Sequence, residues 1–455
     1  MKKSYLMLLF VAMFALVACN YNESEVVVNT TEKSNDAIVD GKVSLSRAIS
    51  NADFVFKNTE GLGNKTRKIK SVDVLKRANA NSRVTRTSSL DEQDALAYVV
   101  NYDNNEGFAI LAATTKLPPV ISIGDEGNFN TEGFVNFIQD NGATRSGEEI
   151  NPAQEVQYAI INNSLILPPV NVEEQELLGV DTTVLLKCLP LVKTKWGQED
   201  PYDYYSPTDS FNNRYDAGCV PVAGAQVLAS LCYHHNWRPA IQLSNEFTID
   251  WYAINRMIFA DIFKFDRGDR SDYALVVASL IRAIGESVNA DYLEDGTFSD
   301  NIHLIPLLNQ LGLTNVFFDI DENINQISSE QLFDMIINKN CPIPTQADGS
   351  NLSFGHSFVL DGWLRLEYSL MGFSTIEIIP GVFQQREDNF QRRLDLVHVN
   401  FGIDGRCDGY YLPGVFDLSE DVFDGFYEEN DRNTNLPYVF DLNVKYLIYD
   451  LQNVL

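Results

Sequence analysis

The stretch Asp216-Ala217-Gly218-Cys219-Val220-Pro221-Val222-Ala223-Gly224-Ala225-Gln226 constrains the fold more than any other part of the chain. Proline is tolerated in a helix only in the first turn, where its missing N–H has no partner to lose. Gly218 suits the turn that enters such a helix. Pro221 therefore sets a helix start near Cys219, and the apolar run continues through Leu231. Ala223, Gly224, Ala225 and Ala229 let other backbone pack closely. The pattern predicts a buried central helix with a cysteine at its N-terminus. Unpaired N–H groups there favour negative charge. With a cation nearby, such a thiol can have its pKa lowered to about 3.5–7.5. The same segment also reads as a plain core helix, because free cysteine is among the most buried residue types.

A thiolate nucleophile needs a base. The chain has 5 histidines. His234 and His235 sit at the far end of the Cys219 helix and cannot reach its start. Near Cys232, they also lack the spacing and the partner pair of a zinc site. His303 has no notable neighbours. His356 lies in Phe354-Gly355-His356-Ser357-Phe358-Val359-Leu360-Asp361-Gly362-Trp363, where Gly355 allows close approach. His398 lies in Val397-His398-Val399-Asn400-Phe401-Gly402, where alternation puts His398 and Asn400 on one strand face. That face is either simply solvated or lets Asn400 orient an imidazole from a neighbouring strand, as the third group of a triad does. Cys219, His356 and Asn400 follow one another in the order, and with the long first interval, of a papain-like protease. Upstream, Gln198 in Trp196-Gly197-Gln198 can supply a side-chain donor to an oxyanion hole beside the Cys219 N–H.

These segments carry a specific resemblance. Trp196-Gly197-Gln198-Glu199-Asp200-Pro201-Tyr202, Gly218-Cys219-Val220, Ala225-Gln226, Gly355-His356-Ser357-Phe358-Val359-Leu360-Asp361-Gly362 and His398-Val399-Asn400-Phe401-Gly402 resemble the streptopain family of papain-fold cysteine peptidases. Cys407-Asp408-Gly409-Tyr410-Tyr411 and the segment from Tyr98 to Ala112 extend the likeness toward both ends. The resemblance implies a zymogen: an inhibitory propeptide ahead of a catalytic domain with Cys219 as nucleophile and His356 as base. It implies Gln198 in the oxyanion hole, Asn400 as the weaker third residue, polypeptide substrates, and no metal or organic cofactor. The chain departs from the family at Pro221, Gly224 and Phe401, where family members usually carry other residues, and in the turn Ile403-Asp404-Gly405-Arg406. Two rival readings keep the fold. One is a catalytically silent binding or inhibitory lipoprotein. The other is acyl transfer to an amine instead of water.

At the N-terminus, Lys2 and Lys3 precede an apolar run from Tyr5 to Ala18. That run reads as an export signal and is short for a membrane span. Leu16-Val17-Ala18-Cys19 resembles a bacterial lipobox, which implies cleavage before Cys19 and lipid on its thiol. The polar stretch that follows suits a tether. The expected location is the cell surface or the periplasmic face of the outer membrane. A formal net charge of -29 argues against a general nucleic-acid partner. With Cys19 lipidated, Cys188, Cys219, Cys232, Cys341 and Cys407 leave an odd number of thiols, too widely spaced for a disulfide scaffold.

Along the chain, a strand–turn–strand pattern runs from Ala95 to Ala112 around Asp103-Asn104-Asn105-Glu106-Gly107. Gln154 to Leu165 has helical spacing and stops at Pro168-Pro169. A second helix is expected from Tyr273 to Ile284, ended by Gly285. After Cys341 short strands dominate: Phe358 to Leu360, Thr375 to Ile379, Leu396 to Phe401 and Val444 to Tyr449. The expected class is α+β: a papain-like two-lobed catalytic domain, helical lobe plus antiparallel β lobe, behind an α+β propeptide domain. The expected boundaries are signal peptide 1–18, tether 19–42, propeptide 43–182 and peptidase 183–455. Arg83, Arg86 and Arg145 are candidate activation cuts.

Overall fold

The computed structural model describes residues 42–59, 67–77, 84–87, 95–114, 117, 119–131, 176–239, 248–293, 296–318, 327–348, 355–379, 382–406, 408–411 and 444–451. The signal segment, Cys19, the tether, Arg83, Arg145, Cys407 and the helix expected at Gln154 to Leu165 lie outside the described residues. No helix of the described residues is long and apolar enough to cross a membrane.

The N-terminal part is one helix on a small antiparallel sheet. Helix α1 (Leu45–Asn58) starts at Ser44, whose hydroxyl accepts the Arg47 N–H. It buries Ala48, Ala52, Val55 and Phe56. The sheet consists of β1 (Ile69–Arg77), β2 (Val84–Thr87), β3 (Ala95–Tyr102), β4 (Phe108–Ala112) and β5 (Val120–Gly124). The hairpin expected between Ala95 and Ala112 is β3–β4. Its turn places Asn104, Asn105 and Gly107 at positive φ, which asparagine tolerates and glycine adopts freely. Arg86 lies in β2, paired with Leu75.

Strand β6 (Glu176–Cys188) follows. The expected boundary after residue 182 falls inside this strand. It pairs antiparallel with a later strand from Cys188↔Trp363 to Glu176↔Phe373.

The helical lobe is built around α2 (Cys219–His235). Every residue from Val220 to Cys232 is buried, as a helix apolar on all sides must be. Helices α3 (Trp251–Phe259) and α4 (Asp272–Ser287) pack on it, N-capped by the side chains of Asp250 and Ser271. Gly285 does not end α4, which runs two residues further. A Cβ at Gly285 would collide with the Tyr292 hydroxyl, so this glycine serves a close approach and not a stop. Short strands β7 (Asp291–Leu293) and β8 (Gly296–Phe298) and helix α5 (Leu304–Gln310) complete this side.

The β lobe contains β9 (Thr314–Phe318), β10 (Ile343–Asp348), β11 (Gly355–Ile379), β12 (Val382–Asn400), β13 (Gly409–Tyr411) and β14 (Lys445–Asp450). The segments expected as separate strands at Phe358 and Thr375 belong to one strand, β11, which forms a long hairpin with β12. Arg365 and Asp395 face each other in that register and form a two-pronged ion pair of 2.7 and 2.8 Å.

The N-terminal sheet does not stand apart. β5 pairs antiparallel with β13, so one 12-stranded sheet runs β2-β1-β3-β4-β5-β13-β12-β11-β10-β14-β9, with β6 on β11. At the seam the Asp125 N–H donates to the Asp408 carbonyl at 2.7 Å. Glu126 meets Lys195 at 2.5 Å and Lys264 at 3.4 Å.

Candidate active site

Cys219 is the first residue of α2, as Pro221 required. Gly218 before it has φ +92, and a Cβ there would lie 2.7 Å from the Thr297 side chain. Glycine is needed both for the left-handed backbone and for the space. The backbone N–H groups of Val220 and of Ser357 on β11 act to lower the pKa of the Cys219 thiol. Ser357 is the next residue after His356, so β11 brings the base to the nucleophile.

Burial nevertheless raises the thiol above its ordinary value, against the pull of those N–H groups. His356 Nε2 lies 2.8 Å from the Phe401 carbonyl, and a carbonyl only accepts, so Nε2 carries the proton. Burial pushes the imidazole down to about 4, with the Phe401 bond opposing. A neutral ring protonated at Nε2 leaves Nδ1 as its acceptor. The ring lies beside both Phe358 and Phe401, tilted 20° and 24° to them with centroids 6.3 and 6.4 Å away, and those two rings touch each other at 5.6 Å. Phe401 thus contributes its ring and its carbonyl to the same imidazole.

Gln198 reaches the site through its backbone. Its carbonyl accepts the Ala217 N–H at 2.8 Å, two residues before Cys219. Gly197 beside it leaves room for the Asp404 side chain, and the Asp404 N–H donates to the Trp196 carbonyl at 3.3 Å. The turn Ile403-Asp404-Gly405-Arg406 therefore packs against the segment that carries Gln198.

Asn400 has other partners than the one expected. Its Oδ1 accepts from Gln226 Nε2 at 2.8 Å and from the Gly402 N–H at 3.0 Å, and its Nδ2 donates to the Thr194 carbonyl at 2.9 Å. The His356 ring is held by Phe401 instead. The solvated alternative for this strand face also fails: His398 is 3% exposed and Asn400 2%. A buried amide must find hydrogen bonds, and Asn400 finds them in the helix and the Gln198 segment.

His398 belongs to a buried charge cluster. Its Nδ1 lies 2.6 Å from Asp361 Oδ1, and its Nε2 is 3.7 Å from Asp125 Oδ2 of the N-terminal part. Burial opposes its charge, but the carboxylates of Asp361 and Asp125 outweigh burial and raise it to about 10. Asp408, also buried, is raised to about 7 by burial while accepting the Phe401 N–H at 2.8 Å. The remaining histidines are occupied elsewhere: His234 on the Leu191 carbonyl, His235 on Asn340 and His303 by Ser299. Cys232 and Cys341 are buried thiols, held protonated by burial.

Sequence reasoning quoted Gln226 and Asp408 only as parts of motifs and gave them no role, and it passed over Thr194 and Asp125. One signal was present. Gln226 is a polar residue in a helix whose other neighbours are apolar or small, and such a group must be paired when buried.

Residues 196–411 match the Peptidase C10 family, and residues 42–140 match the Spi protease inhibitor family. Residues 196–411 thus form a peptidase domain of the C10, or streptopain, family of cysteine peptidases. The chain is a cysteine protease zymogen with an N-terminal propeptide domain. The C10 match contains Gln198, Cys219, His356 and Asn400, and the inhibitor match contains α1 and β1 to β5. Among solved structures, a mutant prointerpain A fragment of Prevotella intermedia aligns with 17% identity and a TM-score of 0.45, covering 83% of this chain and 98% of its own. Active wild-type interpain A cysteine protease of the same organism aligns with 21% identity and a TM-score of 0.34, covering 50% and 86%. No curated protein matches the chain significantly.

Proposed function

We propose that this zymogen is an exported, lipid-anchored endopeptidase whose nucleophile is Cys219 and whose base is His356. The observation that supports it is the packing of α2, which begins at Cys219, against β11, the strand that carries His356 next to its start. In the mature enzyme Cys219 passes its proton to His356, and the thiolate attacks the scissile carbonyl. Gln198 and the Cys219 N–H hold the oxyanion, each such donor contributing about 3–4 kcal/mol to the transition state. The imidazolium protonates the leaving amine. It then takes a proton from water, which releases the acyl-enzyme.

The N-terminal domain acts as an intramolecular inhibitor until it is cut away. Cys19 carries the lipid that fastens the chain to a membrane, at the cell surface or the periplasmic face of the outer membrane. Two acyl chains there suffice for a stable anchor, which a single chain does not give.

Intact-mass measurement of the precursor without its signal, with reductant, tests the catalytic reading. The wild type converts to a fragment of roughly 30 kDa, a size within the range of a single large domain, while Cys219→Ala stays whole. A thiol-directed epoxide adds to Cys219 of the matured form. If neither protein converts, trypsin supplies the cut and the labelling is repeated. A Cys219 still unreactive then refutes the peptidase mechanism and leaves a silent binding protein. The anchor is tested separately, by metabolic labelling with a radioactive fatty acid. Labelling lost in Cys19→Ser supports it, and labelling unchanged in Cys19→Ser refutes it.

A further inference from the structure

Gln226 lies seven residues after Cys219 on α2, two helical turns along the same face. It is fully buried, at 0% exposure. Its Oε1 accepts from the Trp196 N–H and from the Thr194 hydroxyl, both at 3.2 Å. Its Nε2 donates to Asn400 Oδ1 at 2.8 Å. The orientation of these amides is not free. Asn400 must present its oxygen to the Gly402 N–H and its NH₂ to the Thr194 carbonyl, so it offers Gln226 an acceptor. Gln226 must then present its own oxygen to the Trp196 N–H. A flip of either amide sets donor against donor or acceptor against acceptor.

Two of these partners lie one or two residues from a group of the proposed site. Trp196 is two residues before Gln198. Asn400 precedes Phe401, whose carbonyl holds His356 Nε2. The helix carrying Gln226 begins at Cys219. We infer that Gln226 is a positioning residue: one buried amide that sets the nucleophile helix, the segment carrying Gln198 and the imidazole's carbonyl support at fixed mutual distances. Gln226 touches no reacting atom and acts only through Trp196 and Asn400. The inference rests on the proposed roles of Cys219, His356 and Gln198.

Its test uses the full precursor, matured with trypsin, and a peptide substrate. Gln226→Leu keeps the volume and deletes all three bonds. Its kcat is expected to fall about 100-fold, the usual cost of a reacting group displaced by about 1 Å. KM should change by less than about threefold, because the substrate pocket is not touched. Ser230→Ala is the matched control. It deletes a buried bond on the same helix, from the Ser230 hydroxyl to the Leu191 carbonyl at 3.0 Å, and should leave kcat within about twofold of wild type. Gln226→Glu keeps the shape and the acceptor but faces Asn400 Oδ1 with a second oxygen. Protonation of that carboxyl restores the donor, so its kcat relative to wild type should rise about tenfold between about pH 8 and pH 5. If Gln226→Leu does not fold, the pH profile of Gln226→Glu decides alone. A kcat for Gln226→Leu within about threefold of wild type overturns the inference, as does a flat ratio for Gln226→Glu or an equal loss in Ser230→Ala. A matured wild type that cleaves nothing overturns the peptidase mechanism and this inference together. A wild type that cleaves, with Gln226→Leu unimpaired, overturns this inference alone.

Discussion

Gly409 sits where the propeptide sheet joins the peptidase sheet, and a single methyl group there should loosen the zymogen. A Cβ at this position would fall deep inside contact with the Ile123 carbonyl oxygen and 2.8 Å from Gly124 Cα. The three atoms nearest to it all belong to β5 and none to β12, which pairs with β13 at Val399↔Gly409. Gly409→Ala must therefore push β5 away from β13. The seam holds three register pairs, Gly409↔Gly124, Tyr410↔Ile123 and Tyr411↔Ser122, and the Asp125-to-Asp408 backbone bond of 2.7 Å. Losing two or three backbone hydrogen bonds at about 1 kcal/mol each weakens the seam by about 2–3 kcal/mol, or about 30- to 150-fold in its opening equilibrium. Amide hydrogen exchange on the intact Cys219→Ala precursor reads that number directly, since exchange from a locally opened strand scales with its opening equilibrium. Protection of β5 should fall by that factor while protection in α4 is unchanged. Equal β5 protection in Gly409→Ala and its parent would refute the reasoning, because the steric argument admits no position for β5 that keeps the pairing.

Three further expectations follow from the same seam and from β6. Glu126→Gln should speed opening by no more than about fivefold at low salt, since its pairs with Lys195 and Lys264 are part-exposed and such pairs contribute at most about 1 kcal/mol. The effect should vanish at high salt, and an effect that survives there refutes the ionic account. His398 has a folded pKa raised to about 10, so its stabilising contribution is complete below its ordinary value of about 6.5 and is lost as pH rises toward 10. Chemical denaturation from pH 6 to 10 should show a decline that His398→Gln flattens; a parallel decline in both proteins counts against it. The mature chain should begin upstream of Glu176, because β6 is paired along β11 from Cys188 to Glu176 and would be torn out by a later cut. N-terminal sequencing of the matured protein checks this, and a mature chain starting after Cys188 contradicts it.

The features that sequence showed best are those governed by local backbone rules. Pro221 and Gly218 marked the start of α2 because proline excludes every other helical position. Asn104, Asn105 and Gly107 marked the β3–β4 turn because few residues accept positive φ. Gly285 misled for a related reason: a glycine near a helix end reads as a stop, but the Tyr292 hydroxyl that excludes a side chain there comes from a later strand. β11 was read as fragments because Gly362, Gly372 and the charged residues between them interrupt the alternation. What makes it continuous is its partners, β12 on one edge and β6 on the other, and partner choice leaves no local mark. Asn400 shows the same limit inside the site. Its order after His356 is a property of sequence, but its hydrogen bonds depend on which buried groups surround it, and the Gln226 amide and the Thr194 carbonyl satisfy it first.

The chemistry of the precursor follows from two opposite pKa shifts with one cause. Burial raises the Cys219 thiol and lowers the His356 imidazole to about 4. Each shift keeps its group neutral, and together they oppose the thiolate–imidazolium pair that attack on a peptide requires. Attack therefore requires a change in the surroundings of the pair that lets the proton pass from sulfur to nitrogen. The propeptide has a short physical connection to that event. Asp125 donates its N–H to the Asp408 carbonyl, the Asp408 carboxylate accepts the Phe401 N–H, and the Phe401 carbonyl accepts from the imidazole. Withdrawing β5 removes the first of these contacts and frees the loop that fixes the last. Through the described residues, the shared sheet thus links the N-terminal domain to the carbonyl that holds the imidazole.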